Sequence, residues 1–125
     1  MQVAEYQRWL KAYDAARGWD KVAPSQTFVH LVEELGEVAH LLLYVEGYRD
    51  AADKADLRAE LTEELGDVAA FLFKLAYQLD IEMEDALAGN QTKNEPHDVE
   101  AGQQEMERYL GSQEQNLRRM KGISE

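Results

Sequence analysis

The chain is 125 residues long, contains no cysteine, and carries 25 Asp and Glu against 13 Lys and Arg, a net charge of −12. That length fits one domain, the missing thiols exclude disulfides and Cys-ligated zinc, and the acidity disfavours nucleic acid and anionic lipid, whose binding runs on phosphate contacts. The opening MQVAEYQRWL lacks the build of a signal peptide and no apolar run approaches a membrane span, so a soluble, cytoplasmic protein is expected.

Tyr6, Trp9, Leu10 and Tyr13 follow helical spacing and predict a first helix that stops near Gly18. After the connector GWDKVAP, a second helix is predicted from Ser25 to Glu46, ended by Gly47. Gly47 to Asp53 makes a turn, and a third helix runs from Asp53 to Leu79. Asp80 is placed to cap a fourth, Ile81 to Lys93, which Pro96 ends. From His97 on, apolar residues are sparse, and both a peripheral helix and a partly disordered tail fit. No stretch alternates with period two, so the fold class is all-α: a four-helix bundle with a long antiparallel helix hairpin, its domain at 1–96 and a polar C-terminal extension at 97–125.

Two acidic clusters stand out within these helices, EELGE at 33–37 and EELGD at 63–67. Leu31, Leu35, Val38, Leu42 and Val45 recur at spacings of four and three, as do Leu61, Leu65, Val68, Leu72, Leu75 and Leu79. If the two series face each other as heptad seams, Glu34 and Glu64 fall at g, Glu37 and Asp67 at c, and four carboxylates converge on one flank. Gly36 and Gly66 then sit beside the seam, where a missing side chain permits close packing.

A solvated helix face is the bland explanation of such acids. It normally mixes signs, whereas Glu33 with Glu37, Glu60 with Glu64, and Glu63 with Asp67 are like-charged i,i+4 pairs, and neither cluster has a basic residue near it in sequence. A bound cation relieves that repulsion. All-oxygen ligands suit Mg²⁺, Mn²⁺ or Ca²⁺, and Mg²⁺ commonly bridges carboxylates to phosphates, which suggests a polyphosphate substrate. Glu37-x-x-His40 also matches half of a di-iron carboxylate motif, but no second Glu-x-x-His follows. A non-catalytic acidic module that binds a basic partner or Ca²⁺ is the remaining reading. Phe28, Val32, Leu43, Phe71 and Phe73 supply apolar surface beyond the seam, which points to a second subunit.

Glu33-Glu34-x-x-Glu37 followed after 26 residues by Glu64-x-x-Asp67 resembles the EExxE…ExxD signature of the MazG-like all-α nucleoside triphosphate pyrophosphohydrolases. RGWD around Trp19 and Asn90-x-x-Lys93 resemble further features of that family, especially its dCTP pyrophosphatase branch, over roughly residues 5 to 97. The NEPHD that follows Lys93 departs from the basic-aromatic-proline run often found there. The resemblance implies a homodimer or homotetramer that cleaves a nucleoside triphosphate to monophosphate and pyrophosphate with Mg²⁺, or with Mn²⁺ in its place. It further implies Glu34, Glu37, Glu64 and Asp67 as metal ligands and Glu33 as the group that orients or deprotonates water. Trp19 would contact the base, and Asn90 and Lys93 the sugar or phosphate. Phosphoribosyl-ATP pyrophosphohydrolase shares the superfamily and is the alternative within it.

Overall fold

The computed structural model describes residues 1–50 and 56–122, and every regular element among them is helical. The helices are α1 (Val3–Arg17), α2 (Pro24–Val45), α3 (Leu57–Gln78), α4 (Met83–Asn94) and α5 (Val99–Met120), with a single 3₁₀ turn at Trp19–Lys21. They fall into two compact units, Met1–Ala88 and Gly89–Glu125. The division lies inside α4, whereas the sequence suggests one after Pro96.

Helix ends follow local chemistry. Gly18 closes α1 in the left-handed region at φ 75°, donating its N–H to the carbonyls of Ala15 and Asp14. Pro24 occupies the first turn of α2, where its missing N–H costs nothing. Asp56 caps α3, its side chain accepting from the Ala59 N–H at 3.1 Å; the expected start at Asp53 lies outside the described residues. Asp80 does not cap α4 as expected. It adopts a left-handed turn at φ 56°, and the N–H of Met83 is taken instead by Oε1 of Gln7, 2.9 Å away. Nε2 of the same Gln7 donates to the Ile81 carbonyl at 2.8 Å, so a buried amide on α1 holds the entry to α4.

α2 and α3 form the antiparallel hairpin. The hydroxyl of Thr27 donates to Oε1 of Gln78 at 2.7 Å, and the His30 ring stacks on Phe71 with centroids 5.7 Å apart. The facing stripes differ from the expected seams. On α2 the inward residues are Thr27, Leu31, Glu34, Val38 and Leu41, and on α3 Leu57, Leu61, Glu64, Val68, Phe71, Leu75 and Gln78. Leu35, Leu42, Val45, Leu65, Leu72 and Leu79 are 39–52% exposed. Leu31, Val38, Leu61, Val68 and Leu75 face inward as the expected seams have them, whereas Glu34, Leu41, Glu64, Phe71 and Gln78 take the places expected of Leu35, Leu42, Leu65, Leu72 and Leu79. A step of one residue rotates a helix by about 100°, so Phe28, Val32, Leu35 and Leu42 share one flank of the hairpin with Leu65, Leu72 and Leu79.

α1 packs on α3 from the other side. Tyr6 meets Phe73 edge to face at 5.1 Å, and Asp14 accepts the hydroxyl of Tyr77 at 2.6 Å. The buried apolar core is small: Leu10, Leu31, Leu41, Ala76, Tyr77 and Met83. Neither Gly36 nor Gly66 serves close packing; a methyl group at either would meet no atom within 4 Å among the described residues.

In the second unit, α5 answers the open question about the tail: it is a 22-residue helix capped by Asp98, which accepts the Ala101 N–H at 2.9 Å. None of the described helices is long and apolar enough to cross a membrane.

Candidate metal centre

Glu34 from α2 and Glu64 and Asp67 from α3 each offer a carboxylate oxygen within 4.8 Å of the others. The antiparallel hairpin produces this: Glu34 and Glu64 meet in the facing stripes, and Asp67 stands one turn beyond Glu64. Two of the three are half-buried, so their charges are poorly screened. Oε2 of Glu64 is shut off from solvent and has no hydrogen-bond partner among the described residues. Desolvation pushes the Glu64 pKa up, helped by a proton-sharing contact with Glu34 and by the charges of Glu34, Asp67 and Glu37. An orphaned, solvent-excluded carboxylate oxygen facing two other carboxylates accepts a proton or a cation. The donor set, all oxygen from three acids, fits a hard divalent ion such as Mg²⁺ or Mn²⁺.

The other expected ligands and partners lie as follows. Glu37 is exposed one turn beyond Glu34; it is outside the three-oxygen cluster, but its charge acts on Glu64. Glu33 points along its own helix, with Oε1 3.3 Å from Nδ1 of His30. Trp19 is half-exposed and meets Tyr13 edge to face at 6.0 Å. Asn90 and Lys93 belong to the part of α4 in the second unit, and both are exposed. His40, the half-motif of the di-iron reading, has Arg49 Nη1 3.4 Å from its Nδ1 and is not part of the carboxylate cluster.

Beside the carboxylates lies a cavity of about 310 Å³ that sequence reasoning did not find. Tyr6, Trp9, Tyr13, Trp19 and Phe71 give it aromatic walls, and Asp67 belongs to both cavity and carboxylate cluster. The aromatic rings support one another, Tyr6 with Trp9 at 5.6 Å and Trp9 with Tyr13 at 5.0 Å. Asp14 and Lys74 also line it. Asp14 is buried, holds the Tyr77 hydroxyl, and lies 3.6 Å from Nζ of Lys74, whose side chain is only 12% exposed. Burial, with the Asp14 hydrogen bond and charge, drives the Tyr77 pKa far above its ordinary value. Lys74 is therefore held inside against Asp14 rather than spread on the surface. The available signal was the spacing of Gln7, Leu10 and Asp14, an inward stripe of α1 in which polar residues alternate with leucine.

The chain is 34% identical over 98 residues to "uncharacterized protein YvdC" of Bacillus subtilis (strain 168), an alignment covering 74% of this chain and 92% of that protein. No protein-family model matches the chain. No solved structure matches it either.

Proposed function

The chain belongs to the family of the Bacillus subtilis protein YvdC, and we propose that it is a divalent-metal-dependent pyrophosphohydrolase acting on a nucleoside triphosphate, as its resemblance to the MazG-like enzymes implies. The observation that carries this reading is the sharing of Asp67 between a three-carboxylate cluster and an aromatic-walled cavity. Five aromatic rings suit a planar base, and 310 Å³ lies at the lower end of small-molecule sites, room for a nucleoside but not a polymer. The acids beside it suit a metal that in turn holds phosphates.

In this proposal Glu34, Glu64 and Asp67 would hold Mg²⁺, or Mn²⁺ in its place, and Glu37, outside the three-oxygen cluster, adds its negative charge. Bound there, the ion supplies charge neutralisation of the triphosphate and acidifies water. Without that neutralisation a protein of net charge −12 would repel a nucleotide of about −4. Glu33 accepts the proton of a water that attacks in line at the anhydride linking the α- and β-phosphates. The new P–O bond forms as the anhydride P–O bond breaks, and pyrophosphate leaves with the bonding pair. His30, 3.3 Å from Glu33, orients that carboxylate and can receive the proton onward. The aromatic cavity orients the nucleoside, with Trp19 among its walls. The apolar flank of the hairpin, Phe28, Val32, Leu35, Leu42, Leu65 and Leu72, supports a homodimer or homotetramer, since surfaces of that kind are seldom left to solvent.

The test is release of pyrophosphate and nucleoside monophosphate from a panel of the common nucleoside triphosphates and phosphoribosyl-ATP, with Mg²⁺, with Mn²⁺ and with excess EDTA. Turnover of at least one nucleotide that EDTA abolishes is the expected result. Silence across the panel, or turnover that persists in EDTA, overturns the proposal.

A further inference from the structure

One charged group of the aromatic cavity is still without a role. Lys74 lines it together with Asp14 and Asp67, and among the described lining residues it is the single cation. Its side chain is only 12% exposed, and a lysine is seldom buried that far unless it is paired. The pairing is loose. Nζ stands 3.6 Å from Oδ2 of Asp14, longer than a hydrogen bond, and that oxygen already accepts the Tyr77 hydroxyl at 2.6 Å. The N–H donors of the ammonium are therefore not spent on Asp14.

Asp67 and Lys74 share one face of α3, two turns or about 10 Å apart along its axis, and both line the cavity. Asp67 also belongs to the carboxylate cluster. A nucleotide whose phosphates meet a metal there brings its base, not its phosphates, to the Lys74 end. Aromatic walls accept every base, since each has a π-face, so discrimination has to come from an edge. An ammonium offers donors alone. Guanine, hypoxanthine, cytosine, uracil and thymine all carry an exocyclic carbonyl oxygen that accepts, whereas adenine carries only an amino group, which would meet the ammonium donor to donor. Asp14, with a side chain 5% exposed, is the positioning residue that holds Lys74.

We propose that Lys74 is the residue by which the cavity reads the base: its ammonium donates to an exocyclic carbonyl oxygen, so that nucleosides with an oxo base are accepted and adenosine is disfavoured. This rests on the nucleotide reading of the cavity and narrows it to a substrate class. It concerns binding of the base alone and requires neither the metal nor the cleavage step.

The chain has two tryptophans and both line the cavity, so their fluorescence reports its filling. The full-length protein, in EDTA, is titrated with inosine, adenosine and purine riboside, whose bases carry an exocyclic oxygen, an amino group and a hydrogen at the same position. Inosine should bind about tenfold more tightly than the other two, the effect of one hydrogen bond to a charged donor. In Lys74→Met the ratio should fall to near one while adenosine still quenches. The wild-type comparison decides the matter by itself should that variant fail to fold. Equal binding of inosine and adenosine by wild type, or no quenching by any of the three, overturns the proposal. So does a folded Lys74→Met that binds all three more weakly by one common factor. A preference for inosine without release of pyrophosphate from any nucleoside triphosphate would uphold the base reading and overturn the pyrophosphohydrolase reading instead.

Discussion

Replacing Tyr77 with Phe probes how α1 is fastened to α3, and hence how the aromatic cavity is held open. The Tyr77 hydroxyl donates to Oδ2 of Asp14 at 2.6 Å in a buried setting, with Lys74 Nζ 3.6 Å from the same oxygen. A hydrogen bond to a charged acceptor contributes about 1.5–3 kcal/mol, and its loss leaves a buried carboxylate with one fewer partner. Phe keeps the ring and its packing, so no cavity forms and that hydrogen bond dominates the effect. For a chain of this size, about 3–4 °C per kcal/mol gives a fall in melting temperature of roughly 5–12 °C. Thermal unfolding followed by circular dichroism reads it. The variant also carries a signature in pH. Because the folded pKa of Tyr77 is raised, the folded state holds its proton longer than the unfolded state. The corresponding stability is complete below the ordinary tyrosine pKa of about 10 and is lost progressively as pH rises above it. Wild type should lose that part above pH 10 and Tyr77→Phe should not. A melting temperature unchanged by the substitution would refute the buried Asp14–Tyr77 contact.

Three further outcomes are expected. Glu64 has a raised pKa, so in metal-free protein its protonated form favours folding; stability is retained at or below about pH 4.5 and declines as pH rises toward neutrality. Denaturant melts between pH 5 and 8 in EDTA should show this slope, and Glu64→Gln or excess Mg²⁺ should flatten it. Glu33→Gln should lower kcat by about 10²–10⁴ with KM little changed, since the group is assigned to the water rather than to binding; steady-state kinetics on the preferred nucleotide reads the split. Leu35→Glu with Leu72→Glu places charge on the exposed flank of the hairpin and should reduce the sedimenting mass of the protein while its helicity persists; an unchanged mass would remove that flank from the assembly.

The all-helical fold was legible in spacing alone, because leucines at four and three admit little else over two long stretches. Which stripe faces inward was not. Leu35 and Leu42 compete with Glu34 and Leu41 for the contact, and hydrophobicity favours the leucines until a second apolar surface is considered. The same ambiguity explains why the acids looked like flank residues and are in fact, for Glu34 and Glu64, inside the hairpin contact. Asp80 reads as a helix cap by residue type, but Gln7, 76 positions from Met83 in sequence, took the role, and no local rule finds such a partner. The aromatic cavity was similarly hidden: Trp9 and Tyr13 show helical spacing and nothing more, and only the packing of α1 on α3 shows that they border open space beside Asp67.

In the proposed function a divalent ion relieves the repulsion among the carboxylates that the hairpin gathers. Isothermal titration calorimetry with Mg²⁺ and Mn²⁺, alone and with a non-hydrolysable nucleoside triphosphate, tests it most directly. Saturable uptake by wild type is predicted, weakened about tenfold or more by Glu34→Gln, Glu64→Gln or Asp67→Asn. No uptake in any condition, or uptake indifferent to all three substitutions, would contradict the account.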